Sequence, residues 1–482
     1  ALHHSKKAFE LAPMDSDAAA THYQFRRQAC DWKNLDTLSD QLDEFLFKGI
    51  SKPTAELPFI NVFRRSDPAI NYSVAQARSA KISAGIPRDM FQNRMERRRE
   101  KLNVEQRQPP IQVGYVSSDF RDHPTGHLMQ HFFELHDRER FSVHAYSHGP
   151  DDHSVYRESV QDGCDSFTDI RGLNDIDAAK RIANDNIDIL IDLNVHITGE
   201  RMGICAYRPA PIQISLLAFP GTSGADYYDF VVTDKIVTPL EDEKSFSEKF
   251  LYMPDTYFIT NPKIDVSKRS FSRKECGLPE MIEVGAVFAC FNNSYKIEPK
   301  MFDAWLNILK CSPGSVLWLF ANNDVCQSNL RRFTSERGVD QNRLVFAEDL
   351  PKPEHLARLS ISDLALDTGI YGGHTTTADA LFVSVPTITL QGSHFASRAS
   401  GSILNALGLS ELICKNTTAY ESLARKLTSN TEMLRQLKKK IENNKTTHPL
   451  FCDKTYMNHF EDGLEAAFKM WRSNQDFDHI TI

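Results

Sequence analysis

The chain has 482 residues, of which 41% are hydrophobic and 25% charged, and its formal net charge at pH 7 is −8. This length exceeds what one hydrophobic core usually organises, so two or three domains are expected. The acidic balance argues against a nucleic-acid-binding surface, and no apolar stretch is long enough to cross a bilayer, so neither nucleic acid nor a membrane is expected as a partner.

The nine cysteines form neither a CxxC pair nor a His/Cys cluster at zinc spacing. Several, such as Cys290 in VFACFNN, lie within apolar runs and are interpreted as buried thiols. The first residues, ALHHSKKAFELAP, have no signal-peptide pattern and no initiating Met, which indicates a fragment of a longer protein. We expect a reducing, cytoplasmic compartment, and the nucleus as well if the source is eukaryotic.

Residues 1–105 are predicted to be mainly helical. In KKAFELAPMDSDA the spacing of Ala, Leu and Pro is that of the end of a tetratricopeptide helix pair, closed by Pro13. Because one such unit cannot bury its own face, we interpret it as the tail of a longer superhelix. RRREKLNVEQRQPP, residues 97–110, is charged and contains two prolines, which favours a linker.

From residue 111 onward, short apolar runs alternate with helical stretches. A first series, within 111–265, includes IQVGYVSSDF, FSVHAYSHG, DILIDLN, IQISLLAFPG and YDFVVTDK. After an interruption at 258–280, a second series includes AVFACFNN, SVLWLFANN, RLVFAEDL, DLALDTG and VPTITLQG. This alternation predicts parallel strands with helical crossovers, in two Rossmann-like halves with a cleft between them. The absence of GxGxxG argues against a hydride-transfer enzyme.

In the second half, suggestive residues follow three strands. Asn293 and Lys296 follow AVFAC, whereas Lys352, His355 and Arg358 follow RLVFAED. The segment GGHTTTAD follows DLALDTG and opens a helical pattern. Because parallel strands end at one edge of a sheet, these groups should converge there. Ammonium groups and the N–H groups of a helix N-terminus suit a diphosphate better than a neutral ligand.

Each of these residues also has an ordinary structural explanation. A lysine after a strand is usually a solvated surface residue, and threonines at a helix start usually cap the helix. His355 and Arg358, three positions apart, could form an exposed polar face. Their coincidence at one predicted sheet edge favours an anion-binding site.

In the first half, SSDFRDHPTGHLM follows the first strand and contains His123. Pro124 disfavours a helical conformation at residue 123, so the imidazole is expected at the entry to the next helix. There it could take up a proton or hydrogen-bond a sugar or phosphate, and a structural histidine bonded to backbone is the alternative. His127 completes an HxxxH pattern, but the glutamate of HExxH is missing, so a metal site is rejected.

The two aspartates of DID, residues 175–177, stand where a metal-dependent sugar transferase would need carboxylates. Here they open the amphipathic stretch DIDAAKRIAND, so capping a helix is the favoured interpretation. For a nucleotide-sugar enzyme, positive side chains and a helix dipole would then have to stabilise the leaving diphosphate in place of a divalent ion.

Several segments together resemble one known family. They are GYVSSDFRDHPTGHLM, RPAPIQISLLAFPGTSGADYYDFVVTD, FSEKFLYMPDTYF, CFNNSYKIEP, SVLWLF, GGHTTTADAL and FASRASGSILNALGLSELI. In this order, from about Gln28 to the C-terminus, they resemble the O-linked N-acetylglucosamine transferase family, glycosyltransferase family 41. The bacterial members look nearer, because only the short segment 258–280 stands where animal enzymes carry an inserted domain.

The resemblance implies an α/β protein with the GT-B fold, in which two Rossmann-like lobes face a cleft behind tetratricopeptide repeats. The implied domains are a helical region with linker at 1–105, an N-terminal lobe at 111–265, and a UDP-binding C-terminal lobe with a closing helix at 271–482. The implied reaction transfers N-acetylglucosamine from UDP-GlcNAc to Ser or Thr of a protein acceptor. It proceeds with inversion and needs neither a metal nor another cofactor.

The resemblance also assigns residues by motif. His123 matches a histidine proposed as base or orienting group, and Lys296 matches the lysine that stabilises the departing diphosphate. Asn293 belongs to the donor-binding set, although animal enzymes have Gln there. The other matches are the nucleotide-contacting Leu350, Lys352, His355 and Arg358, the diphosphate-binding helix start His374, Thr375 and Thr376, and the ribose-contacting Asp379.

Other functions remain as alternatives at this stage. A neighbouring branch of the family transfers fucose from GDP to proteins, but the histidines of HPTGH and GGHTT look more like the N-acetylglucosamine branch. An asparagine-modifying branch resembles the chain less well. An inactive repeat-protein scaffold is disfavoured because Lys296, His123 and His374 are present. A sugar-nucleotide epimerase is disfavoured because a small substrate needs no protein-binding repeat.

Overall fold

The computed structural model describes residues 1–52, 54–104, 109–281, 285–321 and 323–482. These residues divide into two compact units. The unit that we call the first-sheet unit consists of Leu57–Phe59, Asp67–Lys263 and Pro449–Ile482. The second-sheet unit consists of Ala1–Glu56, Ile60–Ser66 and Ile264–His448.

Helices and strands are numbered separately in chain order. The α-helices are α1 Leu2–Leu11, α2 Ser16–Gln28, α3 Leu35–Phe47, α4 Pro58–Arg64, α5 Pro68–Ser83, α6 Gln92–Val104, α7 Pro124–Met129, α8 Val155–Gly163, α9 Asp175–Asn184, α10 Met202–Ala206, α11 Pro299–Lys310, α12 Asp324–Glu336, α13 Lys352–Leu359, α14 Thr375–Phe382, α15 Phe395–Ala406, α16 Thr417–Ser429, α17 Thr431–Asn444 and α18 Asp453–Arg472. The strands are β1 Ile111–Ser117, β2 Phe141–Ser147, β3 Ser166–Asp169, β4 Ile189–Asp192, β5 Ile212–Ser215, β6 Phe230–Thr233, β7 Lys249–Tyr252, β8 Val287–Cys290, β9 Val316–Phe320, β10 Leu344–Ala347, β11 Leu364–Leu366, β12 Thr387–Leu390, β13 Ile413–Cys414 and β14 Ile480–Thr481.

Each unit is built on one parallel sheet. The first sheet has the strand order β14-β7-β6-β5-β4-β1-β2-β3, and the second has β10-β9-β8-β11-β12-β13. All described strand pairs are parallel. The predicted α/β class with two parallel-sheet halves is therefore confirmed.

Burial explains why these short runs form strands. In β4 and β8 every residue is buried, which is typical of parallel strands covered by helices on both faces. Helix α11, which follows β8, buries one apolar side with Phe302, Trp305 and Leu309.

The chain order of the strands creates a switch point in each sheet. In the first sheet, β1 lies between β2 and β4, and the strand order proceeds in opposite directions from it. In the second sheet, β8 lies between β9 and β11 in the same way. At such a point the loops after two neighbouring strands leave toward opposite faces of the sheet, and the crevice between them is where ligands usually bind. The two strands are β1 and β4 in the first sheet, and β8 and β11 in the second.

The N-terminal helices divide between the two units. Helices α1 to α3 belong to the second-sheet unit, whereas α5 and α6 belong to the first-sheet unit. Asp15 caps α2 by accepting the Ala18 N–H at 3.1 Å, directly after the turn that contains Pro13. The segment interpreted as a tetratricopeptide remnant thus spans the end of α1 and the start of α2.

The segment interpreted as a linker, residues 97–110, is helical as far as Val104, and its residues 105–108 lie outside the described residues. The helix continues because this part contains no Gly or Pro and because Arg98 donates two hydrogen bonds of 3.0 Å to the buried Asp188 carboxylate. No helix or strand occupies 258–280, the interruption predicted between the two halves.

The closing helix α18 belongs to the first-sheet unit, although the sequence placed it with the second half. Strand β14, which follows α18, pairs with β7 at the edge of the first sheet. The buried Glu461 of α18 accepts hydrogen bonds from the His136 ring and the Asp137 N–H, both at 2.9 Å. The domain boundaries drawn from the sequence, 1–105, 111–265 and 271–482, stay a prediction.

Candidate functional site

Polar residues gather at the switch point of the second sheet. Asn292 and Lys296 follow β8, and Asp367 and the glycine turn Gly372–Gly373 follow β11. Helix α14 begins directly after this turn. The strand-end rule used on the sequence thus brings Lys296 and the GGHTTT segment together.

Lys296 is a buried ammonium group. It closes a 3₁₀ turn of Ser294–Lys296, and only 8% of its surface is exposed. Its Nζ donates a hydrogen bond of 3.0 Å to Gly372 O and lies 4.0 Å from the centre of the Tyr371 ring. Burial lowers the pKa of Lys296 to about 8, and the negative charge of Asp367 acts in the opposite direction. Such a group can place positive charge in a site from which water is largely excluded.

Asp367 organises the turn and was not identified from the sequence. Its Oδ1 accepts hydrogen bonds from Gly373 N at 2.6 Å, Thr368 N at 2.8 Å and Asn292 Nδ2 at 3.2 Å. Its Oδ2 accepts the Thr389 hydroxyl at 2.7 Å. A Cβ atom on Gly373 would collide with the Thr376 and Thr377 hydroxyls, so this position requires glycine.

The first turn of α14 is prepared for an anion. His374 is its N-cap residue, and no acidic side chain lies in the first turn. The first backbone N–H groups of a helix have no intrahelical acceptor and carry partial positive charge, so Thr375 and Thr376 present theirs at this end. The Thr376 hydroxyl donates to Asn292 Oδ1 at 2.7 Å, which ties the helix to the end of β8.

His374 supports the same turn with an uncharged ring. Its ring centre lies 5.3 Å from that of Tyr371, the residue whose ring faces Lys296. Desolvation, together with the Lys296 charge, lowers the pKa of His374 well below its usual value. The imidazole is therefore neutral near pH 7 and adds hydrogen-bonding capacity rather than charge.

Asn293 lies close to Lys296 in the chain, but its side chain is exposed. Its carbonyl accepts the Lys296 backbone N–H at 2.9 Å, so it shapes the turn through the main chain. The side chain that points into the site is that of the preceding residue, Asn292, which is 3% exposed. The sequence signal was present in the NN pair, since alternate residues of a strand end point to opposite sides.

Lys352 and Asp379 form an ion pair between the start of α13 and α14. Only 7% of the Lys352 side chain and 12% of the Asp379 side chain are exposed. The structure thus brings together two residues that the sequence analysis assigned separately to the nucleotide. A largely desolvated pair of this kind is sensitive to the loss of either partner.

Two of the remaining predicted residues, His355 and Arg358, lie against the Phe291 ring. His355 meets it edge to face at 4.9 Å, and the Arg358 guanidinium lies 5.2 Å above it. Burial, with Lys352 and Arg358 nearby, lowers the pKa of His355 to about 3, so its ring is neutral. Leu350 is half-buried just before α13. Flat aromatic and guanidinium faces of this kind suit a nucleobase.

The N-terminal segment supports the turn that carries Lys296. Arg27, at the end of α2, donates to Tyr295 O from Nε at 3.1 Å and from Nη2 at 2.7 Å. The Ser294 hydroxyl donates to Gln28 O at 2.8 Å, and the Phe63 and Tyr295 rings lie 5.0 Å apart. Helix α2 therefore holds two residues of the 3₁₀ turn directly.

His123 is the N-cap residue of α7, after β1, in the first-sheet unit. Its backbone is extended, as Pro124 predicted, and its Nδ1 accepts the Thr125 N–H at 3.2 Å. Asp119 Oδ2 lies 3.6 Å from the same nitrogen. Burial lowers the pKa of His123 and so favours the neutral ring, and the Thr125 N–H donated to Nδ1 places the ring proton on Nε2. In this state Nε2 can donate a hydrogen bond but cannot accept a proton.

Asn194 follows β4 and binds residues that follow β1, so it links the two strands at the switch point of the first sheet. Its Nδ2 donates to Asp119 Oδ2 at 2.8 Å and its Oδ1 accepts the Ser118 N–H at 2.7 Å. It thereby fixes the carboxylate beside His123. Asn194 was not predicted as a site residue, although DILIDLN places it at a strand end.

The side chains of the HxxxH and DID patterns, which were considered as metal ligands, make other contacts in the structure. His127 bonds Asp122 at 2.7 Å and does not share a site with His123. At the DID triplet α9 begins as expected, but the capping side chain is that of Asn174, which accepts the Asp177 N–H at 2.9 Å. Among the described residues, no three His, Cys, Asp or Glu side chains are grouped as metal ligands would be.

No helix among the described residues has the length and apolar character needed to cross a membrane.

Comparison with known sequences gives relatives that include two named as peptide N-acetylglucosaminyltransferases. A protein of Arabidopsis thaliana named "Probable UDP-N-acetylglucosamine--peptide N-acetylglucosaminyltransferase SEC" is 36% identical over 77% of this chain and 38% of its own length. A UDP-N-acetylglucosamine--peptide N-acetylglucosaminyltransferase of Caenorhabditis elegans is 30% identical over 77% of this chain and 42% of its own length. The chain thus spans about two fifths of the length of these curated relatives.

A solved structure of a mutant Thermobaculum terrenum O-GlcNAc transferase matches with a TM-score of 0.79 and 24% identity, over 98% of this chain and 87% of that chain. This likeness shows the fold, and the predicted GT-B class is confirmed. The family model described as Glycosyl transferase family 41 matches residues 91–270 and 263–460. Because these matches cover most of the chain and the fold agrees, the chain belongs to glycosyl transferase family 41.

Proposed function

We propose that this chain is an inverting glycosyltransferase that moves N-acetylglucosamine from UDP-GlcNAc to Ser or Thr hydroxyls of proteins and needs no metal. The observation that carries the proposal is the meeting of the buried Lys296 ammonium with the glycine turn and the start of α14. The names of the relatives support the donor and the protein acceptor.

The leaving diphosphate is the group that this site suits. In the reaction the acceptor oxygen attacks C1 of the sugar from the face opposite UDP, and the C1–O bond breaks with its electron pair going to UDP. The hydroxyl proton of the acceptor is released to water as the new bond forms. Negative charge therefore grows on the diphosphate in the transition state. Lys296 supplies a full positive charge there, and the Thr375 and Thr376 amides supply hydrogen bonds and the helix dipole.

The nucleoside would bind next to the diphosphate. We assign the base to the region of Leu350, His355 and Arg358, where an aromatic ring and a guanidinium present flat faces. Asp379 would accept a ribose hydroxyl, and Lys352 holds its carboxylate in place. Asn293 and His374 complete the donor set by shaping the two turns that flank the diphosphate.

His123 acts in this proposal as an orienting group rather than a base. Its Nδ1 accepts a backbone N–H, which leaves the proton on Nε2. From that nitrogen it would donate a hydrogen bond to a substrate oxygen and align it for attack, a contribution through orientation rather than proton removal.

The absence of a metal is part of the proposal because the chain itself provides the positive charge. A divalent ion would normally neutralise the diphosphate and would need carboxylate ligands beside it. Two carboxylates of this site, Asp367 and Asp379, are each engaged by protein donors. We also propose that the protein is located in the cytoplasm, because the cysteines of the described residues form no disulfide bonds.

The test is a glycosylation assay with purified protein and a whole-cell protein extract. UDP-GlcNAc should add N-acetylglucosamine to extract proteins, read by intact mass, whereas GDP-fucose in a parallel reaction should add nothing. Transfer of fucose instead would assign the chain to the fucosyl alternative. Calorimetry with UDP completes the test, because a chain that binds no UDP would be a scaffold rather than an enzyme.

A further inference from the structure

We propose that Asp367 is a positioning residue of the leaving-group site, which acts through the Gly372–Gly373 peptide to aim the Lys296 ammonium and to keep it charged. The inference rests on the proposed function, because it concerns the group that would meet the diphosphate. It adds to that function a second charge, buried beneath the glycine turn, that the donor itself would not touch.

The geometry centres on a single peptide group. Lys296 Nζ donates to the carbonyl oxygen of Gly372 at 3.0 Å, and the N–H of Gly373 donates to Asp367 Oδ1 at 2.6 Å. These two atoms belong to the same peptide unit, and in a trans peptide they point in opposite directions. Cation, peptide and carboxylate therefore form one chain of hydrogen bonds, in which each bond polarises the next.

The position of Asp367 is held from several sides. The carboxylate is 2% exposed, and donors from the ends of β8, β11 and β12 surround it. The Tyr420 hydroxyl donates to its backbone carbonyl at 2.9 Å, and Trp305 Nε1 donates to that hydroxyl at 3.2 Å. Through this set Asp367 fixes the direction of the peptide, and the peptide fixes the direction of Lys296.

Hydrogen bonding alone does not account for a carboxylate at this position. The donors that reach Asp367 are amides and hydroxyls, and an asparagine would satisfy them if the Thr389 hydroxyl accepted instead of donating. A buried negative charge is costly unless an opposite charge compensates it. Lys296 is the cation next along the hydrogen-bond chain, so the charge of Asp367 has a function toward Lys296 that an amide would lack.

Asp367 is also the acidic group positioned to hold Lys296 in its charged form. The other titratable groups that face Lys296 are Cys290, His374 and Tyr371. Burial raises the pKa of Cys290 to about 12 and lowers that of His374, so both are neutral near pH 7. The half-buried Glu298 accepts the Ile370 N–H at 3.1 Å, and its pKa is raised by burial. Asp367 therefore opposes the effect of burial on Lys296.

The test compares Asp367→Asn with Thr389→Val. The first removes the charge and keeps the shape, whereas the second removes one hydrogen bond from the same carboxylate and keeps the charge. In Asp367→Asn the alkaline limb of kcat/KM should move about one pH unit toward acid, since a nearby opposite charge shifts a pKa by roughly one to three units. In Thr389→Val the pH of the alkaline limb should stay unchanged. In Asp367→Glu it should lie close to the wild-type value, because the negative charge is kept.

A second readout does not depend on the donor. The pH dependence of Lys296 acetylation by acetic anhydride, followed by peptide mass spectrometry, reports the titration of this lysine in the full chain. It should show the same acid shift in Asp367→Asn even if the wild type transfers no sugar from UDP-GlcNAc, so failure of the proposed function and failure of this inference are distinguishable.

Two results would overturn the inference. One is an Asp367→Asn variant with the wild-type Lys296 titration. The other is an equal shift in Thr389→Val, which would make Asp367 a structural residue only. Thermal melting checks that each variant folds, and Asp367→Ser takes the place of Asp367→Asn if the latter does not fold.

Discussion

Lys296 Nζ donates a hydrogen bond of 3.0 Å to the carbonyl oxygen of Gly372, a residue 76 positions further along the chain. This bond joins the turn after β8 to the turn after β11 and sets the ammonium beside the first residues of α14. A cation that is already held in place needs little rearrangement when charge develops on a leaving group.

Lys296→Met should lower kcat by about 10²- to 10³-fold, the usual cost of removing one preorganised group that stabilises transition-state charge. UDP affinity, measured by calorimetry, should fall much less, because the α14 amides and the nucleoside contacts remain. The matched control is Lys438→Met. Lys438 also donates to a backbone carbonyl, that of Ser362 at 2.8 Å, but before β11 rather than after it. Near-normal turnover in Lys296→Met would contradict the assignment.

Turnover should decrease at alkaline pH. Lys296 acts as a cation with a pKa of about 8, so its contribution is present below that pH and is lost as the pH rises through it. The limb at about pH 8 should appear in kcat/KM, which reports the free enzyme. In kcat it should lie at higher pH, because a bound diphosphate stabilises the charged form. A kcat/KM profile that stays flat to pH 10 would argue against a role for this ammonium.

His123→Asn should reduce kcat by about 10- to 100-fold, the effect of losing one well-placed hydrogen bond to a charged or reacting group. Asparagine is a good N-cap residue, so the Thr125 N–H keeps an acceptor and the melting temperature should change little. On the acid side the pH–rate profiles of wild type and variant should have the same shape. A fall in rate at acid pH that is present in the wild type and absent in the variant would show that His123 is the base.

Asp379→Asn should raise the KM for UDP-GlcNAc about tenfold with a smaller change in kcat, because a ribose contact is made equally in the ground and transition states. The variant should also discriminate less between UDP and its deoxyribose analogues. Lys352→Met is the matched control, since it breaks the same ion pair but leaves the carboxylate. If both variants lose the discrimination alike, the pair has only a structural role.

Removal of divalent ions should leave the reaction unchanged. The proposal places the required positive charge on Lys296 and the start of α14, so prior dialysis against EDTA should not alter the rate of transfer. The measurement is the initial rate with and without chelator, followed by addition of Mg²⁺ or Mn²⁺. A rate that falls with EDTA and returns with either ion would contradict metal independence.

The fold was largely predictable because its signals are local. Short buried strands such as β4 and β8 are apolar throughout, and crossover helices with one apolar side separate them. The carboxyl ends of parallel strands lie at one edge of a sheet, so residues that follow strands could be assigned to that edge. For this reason Lys296 and His374 were expected near each other, as the structure shows. The end of the chain was harder, because pairing of β14 with β7 joins segments more than 200 residues apart.

Several site residues could not be found in this way. Asp367 is one of 64 acidic residues, and although it directly follows the apolar run of DLALDTG, the sequence does not show which groups its carboxylate would bind. Its role depends on donors from other strand ends, at Asn292, Gly373 and Thr389. The ion pair of Lys352 with Asp379 was likewise invisible, since each residue had been assigned to the ligand separately.

The sequence by itself determined the order of strands and helices, the two parallel-sheet halves and the set of polar residues that end the strands. Those properties follow from hydrophobic periodicity and from turn residues, which act over a few positions. Only the tertiary structure decided which nitrogen of His123 accepts a hydrogen bond from the backbone, which carbonyl accepts the hydrogen bond of Lys296, and which carboxylate accepts the N–H of the same peptide. Protonation and hydrogen bonding depend on burial and on neighbours brought together from distant parts of the chain, and these exist only after folding.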